Sequence, residues 1–394
     1  MKIALFTDSF LPGIGGTENV VLKLAQEYSH EHEVVVFAPR YKKPFEQVVD
    51  LPFRVVRAPS IQTSKNDFWA WPQFSKKIKR ELDELKPDVI HAHTLGMMAG
   101  YANKYGKKHD IPVICTAHTK YAYCYKDVAK FNFIVKILLK HVIKRAQNAD
   151  RVTSVSYSMI PELASYGLKK DVTVIKNGVE KYNIGNIKKR KRKFFSIIYV
   201  GTIIDYKNIG FSIDVMNELK KIRTDFTFRL IGRGPHEKRF VRKVRRMGLA
   251  RHVFLTGALT NRDILFETMA SADLCLFTSI FDNDSLVLLE CASVGVPVMV
   301  LKDTGSSERI ADNKTGFVVE NDAKKVAERI SELMDKREYV AEIGKHGEEL
   351  LQPWEQSIEQ YLDLYREEIS KKKEYVLKRQ SELEQKQAKL NENK

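Results

Sequence analysis

The feature that most constrains the fold is an alternation of short apolar runs with amphipathic helical patterns. The runs at 2–7, 33–38, 54–58, 89–93 and 113–117 are predicted as strands. Residues 17–29, between the first two, have apolar side chains at helical spacing. Strand, helix and strand in repetition predict an α/β fold, with helices on both faces of a parallel sheet.

The alternation pauses at a turn, Lys176-Asn177-Gly178-Val179, and at six consecutive basic residues, 188–193. A second series of predicted strands follows at 195–200, 226–231, 253–256, 274–277 and 298–301. Single hydrophobic cores stop growing near ~250–300 residues, so two domains are expected in a chain of 394 residues. We predict two doubly wound, Rossmann-like domains, 1–178 and 179–352, that face each other across a cleft.

The net charge is +16, from 66 Lys and Arg against 50 Asp and Glu. It indicates an anionic partner: nucleic acid, anionic lipid or a phosphorylated substrate. Nucleic acid is disfavoured, because the basic residues are scattered along helices and no DNA- or RNA-binding module is recognisable. The four cysteines lack CxxC and zinc-ligand spacing, which predicts free thiols in a reducing cytosol and no metal site.

The chain begins with too short an apolar run for a signal peptide. No window reaches the ~18 uninterrupted apolar residues expected of a membrane-spanning helix. We therefore predict a cytoplasmic protein that does not span a membrane and that lies on its inner face.

Three glycine turns follow predicted strands, at Gly15-Gly16, Gly201 and Gly232. Glycine lets a backbone approach a ligand, and the helix start after Gly16 offers free N–H groups to an anion; a simple tight turn is the alternative. Lys207 and Arg233 follow the second and third turns. Each is placed to contact a phosphate or diphosphate, or else lies on the surface among other basic residues.

The most informative stretch runs from 279 to 292, where a polar loop leads into a helix. Asp282 lies in the loop and Glu290 on the helix, and two carboxylates suit a ligand with many hydroxyl groups. The alternative makes Asp282 the N-cap and Glu290 a surface residue. Apolar neighbours on both sides of Glu290 disfavour that alternative.

These motifs occur together with several others in one order along the chain. The segments are Gly15-Gly16-Thr17-Glu18, 88–93, 116–119, 176–179, 201–207, 232–235, the acidic-x7-Glu spacing from Asp282 to Glu290, and Gly295-Val296-Pro297-Val298. In this order they resemble the family-4 retaining glycosyltransferases of the GT-B fold. The resemblance covers residues 1 to about 365. It implies that residues 353–394 include a helix crossing back to the first domain. Their composition, rich in Lys, Glu and Gln, predicts a helical, charged tail whose last ~20 residues are an exposed helix or disordered.

The resemblance implies a role for each site residue. Glu290 would bind the ribose of a nucleotide sugar, probed first as UDP-glucose, and Asp282 would hold a hydroxyl of its sugar. Lys207 would neutralise the diphosphate leaving group, and His118 would face the reacting centre. The remaining donor contacts would come from Gly15, Gly16, Gly201, Arg233, and the backbone near Asn283, Ser285 and Leu286. No metal or cofactor is implied, because basic groups and helix ends would carry the leaving-group charge.

Two positions depart from the family pattern. Asp282 stands where the family usually has Glu, and Thr202 where it usually has Arg. Losing a charge-assisted phosphate contact costs about 1.5–3 kcal/mol. The change would weaken catalysis, move the contact to Arg233, or mark a non-catalytic member; the retained carboxylate of Asp282 favours an adjusted active site.

Residues 127–147 read as a basic amphipathic helix suited to a bilayer interface, with an ordinary surface helix as the alternative. Its predicted apolar side includes Val135 and Val142. The residues predicted to contact membrane or acceptor are Tyr121, Tyr125, Lys130, Lys136, Lys140, Lys144 and Arg145. This arrangement resembles bacterial diacylglycerol glucosyltransferases.

We therefore expect transfer of a hexose, glucose first, to a membrane-associated acceptor such as diacylglycerol. A cell-surface polysaccharide or protein glycan is the alternative acceptor. A non-catalytic, transferase-like partner subunit is the alternative function.

Overall fold

The computed structural model describes residues 1–13, 15–41, 50–62, 68–128, 132–180 and 193–392. They form two compact units. The first comprises Met1–Val155, Met159–Lys176 and Ser357–Lys394, and the second comprises Ser156–Ser158 and Asn177–Gln356. The predicted basic run at 188–193 lies almost wholly outside the described residues.

The first unit is built on a parallel sheet of seven strands in the order β3-β2-β1-β6-β7-β8-β9. Its strands, including the antiparallel ribbon β4–β5, are β1 (Lys2–Phe6), β2 (Glu33–Pro39), β3 (Arg54–Ala58), β4 (Ser60–Gln62), β5 (Phe68–Ala70), β6 (Val89–Ala92), β7 (Val113–Ala117), β8 (Arg151–Ser154) and β9 (Val172–Val174). The central strands are buried along almost their whole length. This explains why they read as continuous apolar runs, as strands covered on both faces do.

Six helices belong to the strand connections of this unit. They are α1 (Gly16–Tyr28), α2 (Lys76–Leu85), α3 (Met97–His109), α4 (Tyr121–Val128), α5 (Asn132–Asn148) and α6 (Met159–Ser165). Helix α1 begins and ends one residue before the predicted bounds, and its predicted apolar side is buried. The helix predicted at 127–147 is largely α5. Residue 127 lies in α4, and 129–131 are outside the described residues.

The second unit has a parallel sheet of six strands in the order β12-β11-β10-β13-β14-β15. The strands are β10 (Phe195–Val200), β11 (Phe226–Ile231), β12 (Val253–Gly257), β13 (Leu274–Phe277), β14 (Val298–Leu301) and β15 (Phe317–Val319). The helices are α7 (Ile209–Lys220), α8 (Glu237–Arg246), α9 (Arg262–Ala270), α10 (Leu286–Ser293), α11 (Ala323–Met334) and α12 (Arg337–His346). The two sheets confirm the predicted doubly wound α/β class.

The chain ends in a long helix, α13 (Trp354–Glu392), which belongs to the first unit from Ser357 onward. Its buried residues include Tyr361 and Tyr365. Farther along, the two Nη atoms of Arg379 donate to the carboxylate of Asp110 over 3.1 and 2.7 Å. The helix is therefore tied to the first unit from Ser357 to at least Arg379, which is 379 − 356 = 23 residues.

Candidate active site

The candidate donor site lies at the edge of the second sheet where the strand order reverses. Strands β10 and β13 are neighbours there, and β11 and β14 lie outside them. In open parallel sheets, ligands bind in the crevice beyond the carboxyl ends of such strands. Gly201 follows β10 and Thr278 follows β13, so the two predicted donor-binding motifs begin at this crevice.

Two glycine turns at this edge pack backbone against backbone. Gly201 and Gly232 both have a φ of +148°. A Cβ atom on Gly232 would lie 1.8 Å from the carbonyl oxygen of Gly201, so any side chain would force the loops apart. The Ile203 N–H donates to the Arg233 carbonyl over 3.0 Å, and the Arg233 guanidinium lies 3.5 Å from the Cβ position of Gly257. The strand ends thus stay open to a closely approaching ligand.

Lys207 and Asp282, predicted from separate motifs, form an ion pair in this crevice. Lys207 ends a short 3-10 helix, Asp205–Lys207, and its Nζ donates to Oδ1 of Asp282. The two side chains are 17% and 16% exposed. Oδ2 of Asp282 is buried and has no hydrogen-bond partner among the described residues. A buried oxygen in this state is costly, and a ligand hydroxyl would satisfy it.

The loop after Asp282 leads directly into α10. Ser285 is the N-cap residue, Leu286 is the first helical residue, and no side chain caps the helix start. The alternative that Asp282 caps this helix is therefore wrong. Asn283 is buried, and a Cβ atom on Gly305 would lie 2.7 Å from its Cα. The loop is thus held from below, while the first N–H groups of α10 lack an intrahelical acceptor.

Glu290 lies on α10, one turn before its end, and is not a surface residue. Its side chain is 13% exposed, and Oε1 lies 3.6 Å from Nη2 of Arg262. Burial raises the pKa of Glu290, and the Arg262 charge opposes that rise. A partly desolvated carboxylate is a strong acceptor for paired hydroxyl groups.

Two residues missed by the sequence analysis fix this loop. The Arg309 guanidinium binds the Asp284 carboxylate at two points, 2.5 and 2.9 Å. Oδ2 of Asp284 also accepts from the Asn177 N–H over 2.7 Å, and Nη2 of Arg309 donates to the Asn177 carbonyl over 2.9 Å. The network joins the turn motif at 176–179 to the loop at 282–285. Only their separation of 107 residues hid the contact.

In the first unit, Gly15 and Gly16 stand at the start of α1, as predicted. Gly15 is the N-cap residue, and because glycine has no side chain, the N–H groups at the helix start have no side-chain cap from it. A Cβ atom on Gly16 would meet no described atom within 4 Å. Packing within the described residues therefore does not require glycine at 16, and space is left above the helix start.

His118 follows β7 and lies against a second histidine. Its Nε2 is 3.3 Å from Nδ1 of His93, and the two rings stack with centres 5.5 Å apart. Burial lowers the pKa of His118 to about 4. Burial, with His91 and His118 nearby, also holds the pKa of His93 well below its usual range. These imidazoles are neutral at physiological pH, so each acts as a hydrogen-bonding group and not as a cation.

A third histidine connects this pair to the C-terminal helix. His91 is fully buried; its Nδ1 lies 2.5 Å from the hydroxyl of Tyr365 and its Nε2 2.6 Å from Oγ1 of Thr116. Its ring centre is 3.9 Å from that of His93. In the sequence these histidines stand out only as parts of motifs, and no motif indicates Tyr365. The hydrogen bond with Tyr365 needs a helix that lies 274 residues farther along the chain.

Helix α5, predicted to lie in a bilayer interface, does not expose its predicted apolar side. Val135 and Val142, on its predicted apolar side, are buried in the first unit. This side matches the surface-helix alternative. The outer side nevertheless has apolar groups, because Phe133 and Ile137 are 63% and 49% exposed. No helix within the described ranges is both long and apolar enough to cross a bilayer.

The predicted acceptor-contact residues divide between surface and interior. Lys136, Lys140 and Lys144 are exposed on α5, beside Phe133 and Ile137. Tyr121 is buried, and its hydroxyl accepts from the Leu95 N–H over 2.8 Å, so its prediction as an interfacial residue is wrong.

Two further predicted contact residues pack inward as well. Tyr125 packs on the core near Tyr121. Arg145 donates through Nη1 to the Leu95 carbonyl over 3.1 Å, which turns its charge inward. Lys130 lies outside the described residues.

Two protein-family profiles match consecutive parts of the chain. Glycosyltransferase Family 4 matches residues 14–181, and Glycosyl transferases group 1 matches residues 180–350. Alpha-monoglucosyldiacylglycerol synthase of Acholeplasma laidlawii is 23% identical, over 91% of this chain and 94% of that protein. GDP-mannose-dependent alpha-mannosyltransferase of Corynebacterium glutamicum is 24% identical, over 90% and 84%.

Solved structures of the same architecture align over nearly the whole chain. Sucrose-phosphate synthase of Thermosynechococcus elongatus has a TM-score of 0.78 at 18% identity, over 93% of this chain and 99% of that one. HepE of Anabaena in complex with UDP has a TM-score of 0.75 at 18% identity, over 93% and 100%. At this identity the likeness concerns the fold.

Proposed function

Since the chain belongs to the family-4 glycosyltransferases of the GT-B fold, we propose that it transfers a hexose, with retention, from a nucleotide diphosphate sugar to a membrane-associated acceptor. Glucose carried by UDP is the proposed donor, and diacylglycerol or a related glycerolipid is the proposed acceptor. The observation that carries the donor half is the pairing of Lys207 with Asp282 at the reversal point of the second sheet.

The ion pair suits a site whose ligand brings both a diphosphate and sugar hydroxyls. In the proposed complex, the Lys207 ammonium turns toward the diphosphate, and the Asp282 carboxylate accepts a hydroxyl of the sugar. Once turned toward the diphosphate, an ammonium in a partly buried crevice stabilises the negative charge that develops on the leaving group more strongly than it would in water. The N–H groups at the start of α10 would add to this stabilisation.

Glu290 is proposed to bind the ribose. Its half of the pocket is partly desolvated, and Arg262 is its only salt-bridge partner among the described residues. Two neighbouring ribose hydroxyls would supply the hydrogen bonds that a buried carboxylate needs. The cost of keeping Glu290 ionised in the empty site is then recovered when the donor binds.

The first unit supplies the proposed reacting-centre contact. His118 is neutral at physiological pH, because burial lowers its pKa to about 4. It therefore offers the sugar a hydrogen bond whose geometry is set by His93, at 3.3 Å. A neutral imidazole neither repels an oxocarbenium-like centre nor attracts the diphosphate away from Lys207.

The acceptor half rests on α5 and on the relatives. The exposed side of α5 presents Phe133 and Ile137 beside Lys136, Lys140 and Lys144. Apolar groups flanked by lysines are typical of surfaces that lie in an anionic bilayer interface. Alpha-monoglucosyldiacylglycerol synthases of Acholeplasma laidlawii and Streptococcus pneumoniae are both among the relatives, each 23% identical.

The test is transfer from a panel of nucleotide sugars, UDP-glucose first, in the presence of membrane lipid extract, followed by mass spectrometry. We expect a diacylglycerol heavier by one hexose. Lys207→Ala and Glu290→Ala should each lower the rate by on the order of 10²–10³, the effect of removing one electrostatic contact to a transition state. Lys302→Ala and Glu320→Ala are the matched controls, because these residues form an exposed ion pair in the same unit.

Each other outcome excludes a named part of the proposal. Donor hydrolysis that needs Lys207 and Glu290, without transfer to lipid, would keep the enzyme and move the acceptor to a polysaccharide or protein glycan. Absence of both transfer and donor binding would refute catalysis and favour the partner-subunit alternative, for which Thr202 would then be the explanation.

A further inference from the structure

The ribbon β4–β5 and the residues after it present an apolar surface that the fold does not use. Ile61 and Trp69 are direct cross-strand partners and are 56% and 55% exposed. Phe74, at the end of the 3-10 helix Pro72–Phe74, is 76% exposed. We call these three residues the ribbon patch. Large apolar side chains grouped in this way on a surface mark a contact site.

The ribbon patch is held by a rigid base. Ala70, one residue along from Trp69, is fully buried in the core of the first unit. The Trp71 N–H donates to the Pro59 carbonyl over 2.8 Å, and Ser75 caps α2 by accepting from the Ile78 N–H over 3.2 Å. The outward direction of Trp69 is therefore imposed by the alternation along an anchored strand.

The basic residues next to the ribbon patch stand at the N-terminus of α2, where positive charge is unfavourable. Helix α2 begins with Lys76 and Lys77, both exposed, and has no acidic residue in its first turn. Cations at a helix N-terminus oppose the helix dipole. Neither lysine forms a salt bridge with any described residue, whereas Lys79 and Arg80, farther along, are paired with Asp83 and Glu84. Unfavourable charges at a helix start are expected where a binding surface uses those charges.

The ribbon and α5 share a neighbouring element, the helix α3. Helix α3 packs against α5, and it also packs against β5 and the 3-10 helix Pro72–Phe74. The ribbon follows the carboxyl end of β3, and α5 begins after the connection that leaves the carboxyl end of β7. Both surfaces thus flank α3 near the carboxyl edge of the first sheet.

We propose that the ribbon patch is a second membrane contact, whose aromatic rings enter the interface of an anionic bilayer while Lys76 and Lys77 bind lipid phosphates. Trp69 and Phe74 are amphipathic or apolar rings of the kind found at this depth. The two lysines, which pair with no described acidic residue, supply the charge complementarity. The inference rests on the proposed membrane-associated acceptor, and it assigns a surface outside α5 to that function.

The experiment measures partition of the full chain onto vesicles of phosphatidylcholine mixed with phosphatidylglycerol, and onto phosphatidylcholine alone. The variant Trp69→Ser/Phe74→Ser should partition on the order of tenfold more weakly. Lys76→Ser/Lys77→Ser should lower the preference for anionic vesicles by on the order of tenfold, and the lysines of α5 should retain the rest. Ile222→Ser/Ile264→Ser is the matched control, because these residues are 51% and 50% exposed in the second unit. Circular dichroism melting confirms that each variant is folded.

A second measurement reports the position of the ring directly. Lipids with brominated acyl chains should quench the tryptophan fluorescence of the parent protein. In the background Trp71→Phe, Trp69→Phe should remove most of this quenching and keep the partition, because Trp354, the remaining tryptophan, is buried.

Three outcomes would overturn the inference. If Trp69→Ser/Phe74→Ser partitions like the parent while Lys136→Ser/Lys140→Ser/Lys144→Ser does not, the membrane contact is confined to α5. The proposed acceptor then stands and the ribbon contact falls. If the ribbon variant changes only the molar mass in solution, the patch is a protein interface. If the parent binds no vesicle, the membrane-associated acceptor falls as well.

Discussion

The buried ion pair of Asp284 and Arg309 yields the prediction with the largest expected effect on stability. Their side chains are 4% and 9% exposed, and the guanidinium binds the carboxylate at two points. Removing one partner leaves the other charged and buried, which costs about 3–5 kcal/mol. A domain of 150–250 residues loses about 2–4 °C of Tm for each kcal/mol. Asp284→Asn should therefore lower the Tm of the second unit by roughly 6–20 °C.

The assay can be restricted to the second unit, because Trp354 is its single tryptophan. In the background Trp69→Phe/Trp71→Phe, the unfolding of that unit is followed by Trp354 fluorescence. The control is Glu349→Gln, which breaks an exposed pair with Lys314 and should change the Tm little.

A double variant separates the two possible origins of the effect. Asp284→Leu/Arg309→Met removes both charges, so it should be less destabilised than Asp284→Asn alone. A shift for Asp284→Asn no larger than that of Glu349→Gln would refute the reasoning. It would mean that the pair contributes no more than a surface pair.

Three other predictions concern buried titratable groups. Tyr365→Phe removes the hydroxyl 2.5 Å from Nδ1 of buried His91 and should cost about 1–3 kcal/mol of unfolding free energy; calorimetry should show no such loss for Tyr375→Phe, whose side chain is exposed. Glu290→Gln should stabilise the empty enzyme at pH 7, because the raised pKa of Glu290 makes its ionised form unfavourable in the folded state. Urea titrations should show that this gain in unfolding free energy vanishes below pH 4, where Glu290 is protonated in both states. The variant should also bind the donor more weakly than the parent protein does. The first unit should lose stability as the pH falls from about 6.5 to 4. Over this range histidines are protonated in the unfolded chain, whereas buried histidines such as His118 stay neutral in the folded state. An unfolding free energy that does not change over this range would contradict their burial.

Much of the fold was predictable because buried parallel strands read as apolar runs. Strands 54–58, 113–117, 195–200, 226–231, 274–277 and 298–301 were predicted with the bounds found in the structure. The strands that were missed, β4, β5, β8, β9 and β15, have three or four residues each. Strands of this length, at edges or with polar residues such as Arg151 and Thr173, do not produce an apolar run.

The site residues were predictable where they belong to motifs whose order along the chain matches a known family. Lys207 and Asp282 came from separate motifs, and the structure brings them into contact. Asp284 lies in the same predicted loop as Asp282. Its partner Arg309 is one of 66 basic residues, and only the tertiary contact identifies it. The predicted helix near 127–147 was real, but helical spacing alone did not tell which side the first unit covers.

The return of the chain to the first unit at Ser357 has a consequence for how the protein is made. Residues 177–356, a stretch of 356 − 176 = 180 residues, emerge from the ribosome before Tyr361 and Tyr365 do. At 5–20 residues per second, that synthesis takes roughly 10–40 s. Throughout this interval the nascent first unit exposes the pocket around His91 that Tyr365 later fills. By its end the second unit has all of its sequence, and the first unit does not. The half of the protein that is started first is therefore the half that is finished last.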